Sequence, residues 1–177
     1  PMEGVDLEGV FQIRNIEDGR KVQQWAKTSK SAVVTGAGLI GIEIVFALKE
    51  LGLNVTLSEM MPQIVPRSLD SDMADILTGY LKMENIHVML GEPITKLEGE
   101  DGKVKKAYFG DGSCIDADMV ILAVGFKPNN ELGKDVLKLY SNGAYLVNKK
   151  QETSLKDVYA IGDCATVYDN TIDDVNY

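Results

Sequence analysis

Ser31-Ala32-Val33-Val34-Thr35-Gly36-Ala37-Gly38-Leu39-Ile40-Gly41 decides how this sequence folds. Ser31 to Thr35 is short, β-branched and small, which favours an extended strand. It runs straight into glycines spaced Gly-x-Gly-x-x-Gly. From Leu39 to Leu51 the chain is apolar around most of a helical circumference, through Ile40, Ile42, Ile44, Val45, Ala47, Leu48 and Leu51. That pattern predicts a buried helix rather than an amphipathic one. Gly52 is placed to end it, because glycine adopts the left-handed C-terminal cap without steric penalty. Leu53 to Leu57 then reads as a second strand, closed by Ser58 and Glu59. Strand, glycine turn, helix and strand with a terminal acid make one βαβ unit.

The spacing matters because each glycine has a separate task. Gly36 permits a tight turn, Gly38 lets the backbone approach a pyrophosphate, and Gly41 lets the helix pack close to the strand. Leu39 and Ile40 begin a helix whose N-terminus carries unpaired N–H groups and the positive end of the dipole, so it attracts an anion. Glu59 stands where this fold accepts hydrogen bonds from the adenosine ribose hydroxyls. Its carboxylate repels a 2′-phosphate, which predicts NAD(H) over NADP(H). Arg67 is the kind of charge that accommodates a 2′-phosphate. Its place in a loop entering the next helix favours a helix-entry or phosphate-facing role instead.

Outward from this unit, Met60 to Pro66 reads as a loop. A helix starting at Ser68 or Asp70 runs to about Glu84, and Ile86 to Leu90 forms a strand. The period then changes to two. Ile94 to Leu97, Val104 to Phe109 and Cys114 to Ile115 are expected to form an antiparallel meander with glycine-rich turns. Met119 to Val124 is a continuous apolar run, as in a strand buried on both faces. A short helix over Glu131 to Leu139 and strands at Ala144 to Val147 and Val158 to Ala160 follow. At the other end, residues 1–16 read as a linker with one apolar run, Gly9 to Ile13, and Glu17 to Lys27 as a helix. The expected fold is α/β: a Rossmann-like three-layer domain with a central parallel sheet and an antiparallel β-meander insertion.

Composition limits the function. Of 177 residues, 45% are apolar and 25% charged, enough for a core. The formal charge of −9 argues against nucleic acid as a partner. No run approaches the ~20 apolar residues of a membrane span, and no signal-peptide pattern opens the chain, so the cytoplasm is the default location. Cys114 and Cys164 form no CxxC pair, and with the lone His87 they give no metal-like spacing. The opening Pro1-Met2-Glu3-Gly4 reads as a piece cut from a longer chain. Tyr145-Leu146-Val147-Asn148-Lys149 has the Tyr-x-x-x-Lys spacing of short-chain dehydrogenases, but that chemistry needs both side chains one helical turn apart. On the strand expected here they stand ~13 Å apart.

Four stretches resemble the FAD-dependent pyridine nucleotide–disulfide oxidoreductases, in that family's order. They are Gly36-Ala37-Gly38-Leu39-Ile40-Gly41-Ile42-Glu43; Val55-Thr56-Leu57-Ser58-Glu59; Ile121-Leu122-Ala123-Val124-Gly125-Phe126-Lys127-Pro128-Asn129; and Gln151-Glu152-Thr153-Ser154 with Val158-Tyr159-Ala160-Ile161-Gly162-Asp163-Cys164-Ala165. Within the family the chain is similar to NADH oxidase, NADH peroxidase and coenzyme A–disulfide reductase.

The resemblance implies that Gly36, Gly38, Leu39, Ile40, Gly41 and Glu59 hold the adenosine and pyrophosphate of NAD(H). It also implies that Glu43 lies near the nicotinamide; the plainer reading of Glu43 is a buried carboxylate in an ion pair. Gly125 lets the backbone approach the nicotinamide side, and Asp163 contacts FAD. No catalytic residue is expected in this chain, because the redox cysteine belongs upstream, and Cys164 is not that cysteine. The implied organisation is a linker and short helix from the FAD-domain side at 1–30, an NAD(H)-binding domain at 31–147 and the start of the returning FAD-binding segment at 148–177. The full-length protein is then expected to be a homodimeric enzyme acting on a small-molecule substrate. It passes hydride from NADH to flavin and on to a cysteine sulfenate, a disulfide or oxygen. Two other readings share the same motifs: a stand-alone NADH-sensing module, and a fragment of a ferredoxin or rubredoxin reductase.

Overall fold

The βαβ unit folds as its spacing dictates. In the computed structural model, which describes residues 2–169 and 174–176, the chain forms two compact units, Pro1–Gly125 and Phe126–Tyr177. The first contains, in order, β1 (Val10–Phe11), α1 (Ile16–Ala26), β2 (Ser31–Thr35), α2 (Leu39–Glu50), β3 (Asn54–Glu59), α3 (Ser71–Met83), β4 (His87–Leu90), β5 (Ile94–Glu100), β6 (Lys103–Phe109), β7 (Cys114–Asp116) and β8 (Met119–Leu122). Five strands form one sheet in the order β1-β8-β2-β3-β4. Every neighbouring pair in it is parallel. Strands β5, β6 and β7 form the expected antiparallel meander.

The two-residue period of the strands sorts side chains into two cores. Ala32, Val34, Val55, Leu57, Met119 and Ile121 face the helices and pack with Val22 and Ala26 of α1, Ile44, Val45 and Leu48 of α2, and Ala74 and Leu81 of α3. Val33 and Val120 face the other way, onto Leu97, Val104, Ala107 and Phe109 of the meander. The three layers are therefore helices, parallel sheet and meander. Removing a fully buried side chain such as Leu57 or Ile121 from water contributes about 1.5–3 kcal/mol each.

Two expectations change in this unit. The run Gly9 to Ile13, read as part of a linker, supplies β1, which pairs with Val120 and Ile121 at the sheet edge. Trp25 fixes this corner: its indole N–H donates to the Asp118 carbonyl at 2.9 Å, and its ring meets Phe11 edge-on at 5.8 Å. Helix α2 is not buried all round. Its buried stripe is Gly41, Ile44, Val45 and Leu48, the 3–4 spacing that one face presents to a sheet. Leu39 and Ile40 are 66% and 53% exposed.

In the second unit the helix expected over Glu131 to Leu139 is a series of turns. The N–H groups of Gly133 and Lys134 both donate to the Asn130 carbonyl, and those of Val136 and Leu137 to Gly133. Gly133 weakens the segment as a helix, and its N–H also donates to the Tyr145 hydroxyl at 2.8 Å. That hydroxyl donates in turn to the Asn130 carbonyl. Tyr145 is buried and its hydroxyl fully engaged, which ends the short-chain dehydrogenase reading. The strands expected at 144–147 and 158–160 reduce to isolated bridges of Tyr145 to Leu139 and Ala165, and of Tyr159 to Glu152. A final antiparallel pair, β9 (Val167–Asp169) with β10 (Asp174–Asn176), had no sequence signal.

Candidate functional site

Strand β2 ends between β8 and β3, at the point where the chain order of the sheet reverses. In open α/β sheets, crevices form at the carboxyl ends of such strands. The glycine turn lies there. The Gly36 N–H donates to the Ser58 carbonyl at 2.8 Å, and the Ala123 N–H to the Thr35 carbonyl at 2.8 Å, so the turn is tied to the ends of both neighbours. Gly36 has φ +99°, and a Cβ built on it would sit 2.3 Å from the Ala123 carbonyl oxygen. A Cβ on Gly41 would sit 1.9 Å from the Gly36 carbonyl oxygen. Both positions exclude any larger residue on steric grounds, as their spacing predicts. Gly38 differs: a Cβ there would meet nothing within 4 Å.

Gly38 is the N-cap of α2, and no side chain caps the helix. Among the described residues, the N–H groups of Leu39, Ile40 and Gly41 find no acceptor. Three unpaired donors and the positive end of the helix dipole therefore lie in the first turn of α2, next to the open position at Gly38. An anion is the ligand that such an arrangement binds.

Glu59 stands beside the glycine turn, at the end of β3. It is only 7% exposed. One carboxylate oxygen, Oε2, accepts the Ala37 N–H at 2.7 Å, and the other accepts the Met61 N–H at 2.9 Å. Each oxygen retains a lone pair for a further donor. The spacing pointed to Glu59 but not to this bracing role, since it pairs residues 22 positions apart. Ala37 is also held from the opposite side, where its carbonyl accepts the Val65 N–H at 2.8 Å. Neither Ala37 nor Val65 carried a sequence signal for the site.

The remaining expected positions are distributed as follows. Gly125 follows β8, is exposed, and has φ +94° with open space where a Cβ would lie. Glu43 is exposed on α2, so the buried ion-pair reading does not hold in this chain. Arg67 is exposed in the segment before α3. Asp163 belongs to the second unit; it is exposed and follows Gly162, whose φ is +78°.

The resolved shifts in acidity lie away from this crevice. Asp118, at the opposite end of β2, is held below the ordinary carboxylate range, chiefly because its carboxylate accepts the Lys30 N–H at 2.8 Å and also the Ser31 N–H at 3.1 Å. Among the described residues no His, Cys, Asp and Glu cluster is arranged to hold a metal. No helix there is long and apolar enough to cross a membrane.

Comparison with known proteins agrees with this geometry. The family model described as pyridine nucleotide-disulphide oxidoreductase matches residues 1–176. An NADH oxidase of Methanocaldococcus jannaschii is 46% identical over 171 residues, which cover 96% of this chain and 38% of that protein. An NAD-dependent persulfide reductase from A. fulgidus superposes with a TM-score of 0.89 at 37% identity, covering 94% of this chain and 31% of its own. A water-forming NADH oxidase from Lactobacillus brevis, solved with NADH bound, superposes with a TM-score of 0.93 at 27% identity, over 100% of this chain and 39% of that one. The chain thus spans less than two fifths of the length of these relatives. On its sequence motifs, its fold and these matches, the chain belongs to the pyridine nucleotide–disulphide oxidoreductase family.

Proposed function

We propose that the Pro1–Gly125 unit binds NAD(H) at the glycine turn, and that the chain is the nucleotide-binding part of a flavin-dependent oxidoreductase. The observation that carries this reading is the trio of unpaired N–H groups at Leu39, Ile40 and Gly41, in the helix turn that follows the open position at Gly38. The pyrophosphate accepts from these donors. Glu59, buried and already fixed by Ala37 and Met61, turns its remaining lone pairs to the adenosine ribose hydroxyls. The same carboxylate repels a 2′-phosphate, which favours NAD(H) over NADP(H). Gly125 and Glu43 serve the nicotinamide end, and Asp163 of the second unit contributes to FAD.

The nicotinamide, when bound, supplies a hydride for the flavin, and the protein supplies orientation and exclusion of side reactions. In the longer protein, β1 and α1 belong to the NAD(H)-binding unit that ends near Gly125, and the chain after it leads back to the FAD domain. That protein acts in the cytoplasm as a homodimer on a small-molecule acceptor: a cysteine sulfenate, a disulfide or oxygen. An amide-resolved NMR titration with NADH tests the site. The Leu39, Ile40 and Gly41 amides shift first and furthest; shifts confined to the meander would refute it.

A further inference from the structure

Val65 is the one β-branched residue among the described residues with a left-handed backbone, at φ +44°. That conformation is rare for a branched side chain and persists only where the surroundings over-determine it. Here they do. The residue is 4% exposed, beside the fully buried Ile64. The carbonyl accepts the N–H groups of Ser68 and Leu69 at 3.0 and 3.1 Å, which folds residues 65–69 into a closed hoop. The Gln63 side-chain amide ties the hoop again, donating to the Leu69 carbonyl at 3.0 Å. The remaining polar group, the Val65 N–H, leaves the hoop and donates to the Ala37 carbonyl at 2.8 Å.

Ala37 is the residue between the first two glycines, and Glu59 holds its other peptide group. From the Val65 contact and the left-handed backbone that aims it, we infer that Val65 is a positioning residue for the nucleotide. It latches the hoop to the glycine turn and keeps the Leu39, Ile40 and Gly41 donors open before the pyrophosphate arrives. The inference rests on the dinucleotide reading of that turn.

Two variants separate the latch from simple packing. Val65→Gly and Val65→Pro both remove the buried isopropyl group. Glycine keeps the N–H and tolerates positive φ, whereas proline has no N–H and requires φ near −65°. Kd for NADH is measured beside the thermal midpoint of each. The expected result is that Val65→Gly binds within about threefold of the parent despite a lower midpoint, while Val65→Pro binds at least tenfold more weakly. Equal affinities in the two folded variants would overturn the latch. Should Val65→Pro not fold, hydrogen exchange of the parent chain decides. NADH should protect residues 62–69 together with 36–43, and protection of 36–43 alone would overturn the latch. If the parent chain itself binds no NADH, the dinucleotide reading fails, and the latch with it.

Discussion

The Glu59 carboxylate accepts the Ala37 N–H at 2.7 Å, across 22 residues of chain and between two buried residues. The acid that ends β3 therefore does two things: it braces the turn between the first two glycines, and it turns spare lone pairs to whatever occupies that turn. Removing it should affect both folding and binding.

Glu59→Gln presents one acceptor oxygen where two backbone N–H groups, Ala37 and Met61, now find one each. If the buried Ala37 N–H is the one that loses its partner, the cost is about 1–3 kcal/mol, whereas the Met61 N–H is part-exposed and loses less. Chemical denaturation should show this loss without any nucleotide present. Glu59→Ala should in addition weaken NADH by ~1–2 kcal/mol through the missing ribose hydrogen bonds. An unchanged Kd would mean that the ribose is held elsewhere.

The glycines divide into one that shapes the fold and one that clears space. At Gly36 an alanine meets both a positive φ and a carbonyl oxygen 2.3 Å away. Gly36→Ala should lower stability by about 3 kcal/mol, combining backbone strain with a forced shift of β8. Gly38→Ala meets open space and should alter stability by less than about 1 kcal/mol, the scale of an N-cap exchange. It should nonetheless weaken NADH more than tenfold, because its methyl group occupies the anion's approach. Denaturation midpoints and Kd values for the two variants should move in opposite orders.

Asp118 gives a pH dependence with a definite sign. Its folded pKa lies below the ordinary value because the carboxylate accepts the Lys30 and Ser31 N–H groups. A depressed folded pKa means that the unfolded chain takes up the proton first. The contribution is thus fully present above about pH 4 and lost as pH falls through the folded pKa. Asp118→Asn should flatten the acid limb of a stability-versus-pH curve and leave NADH binding at neutral pH unchanged. An identical acid limb in the variant would remove this account of the joint between α1, β2 and β8.

Sequence patterns were most informative where periodicity and glycine spacing carry local geometry. Ser31–Thr35 forms the strand its residues predict, and the period-two segments after Ile94 form the meander. Gly36 and Gly41 prove sterically obligatory for the reasons their spacing gives. The patterns failed where the deciding contact is distant. Val10 and Phe11 look like linker until Val120 and Ile121 supply a sheet edge. In the second unit the segment 131–139 reads as helix but forms turns, where Tyr145, 12 residues on, takes up the Gly133 N–H. Glu59 was identifiable as an acid at the end of β3, but nothing local marks Ala37 as its partner or Val65 as the residue behind it.

Binding of either nucleotide depends on the open N–H donors and the choice between them on the buried Glu59, so one titration addresses both. The chain should be titrated with NADH and with NADPH at the same ionic strength, following nicotinamide fluorescence. NADH should bind saturably and more tightly than NADPH; Gly38→Ala should weaken both, because the pyrophosphate is common to the two, and Glu59→Ala should abolish the difference. Binding of NADPH as tight as NADH, or no saturable binding of either, would contradict the account.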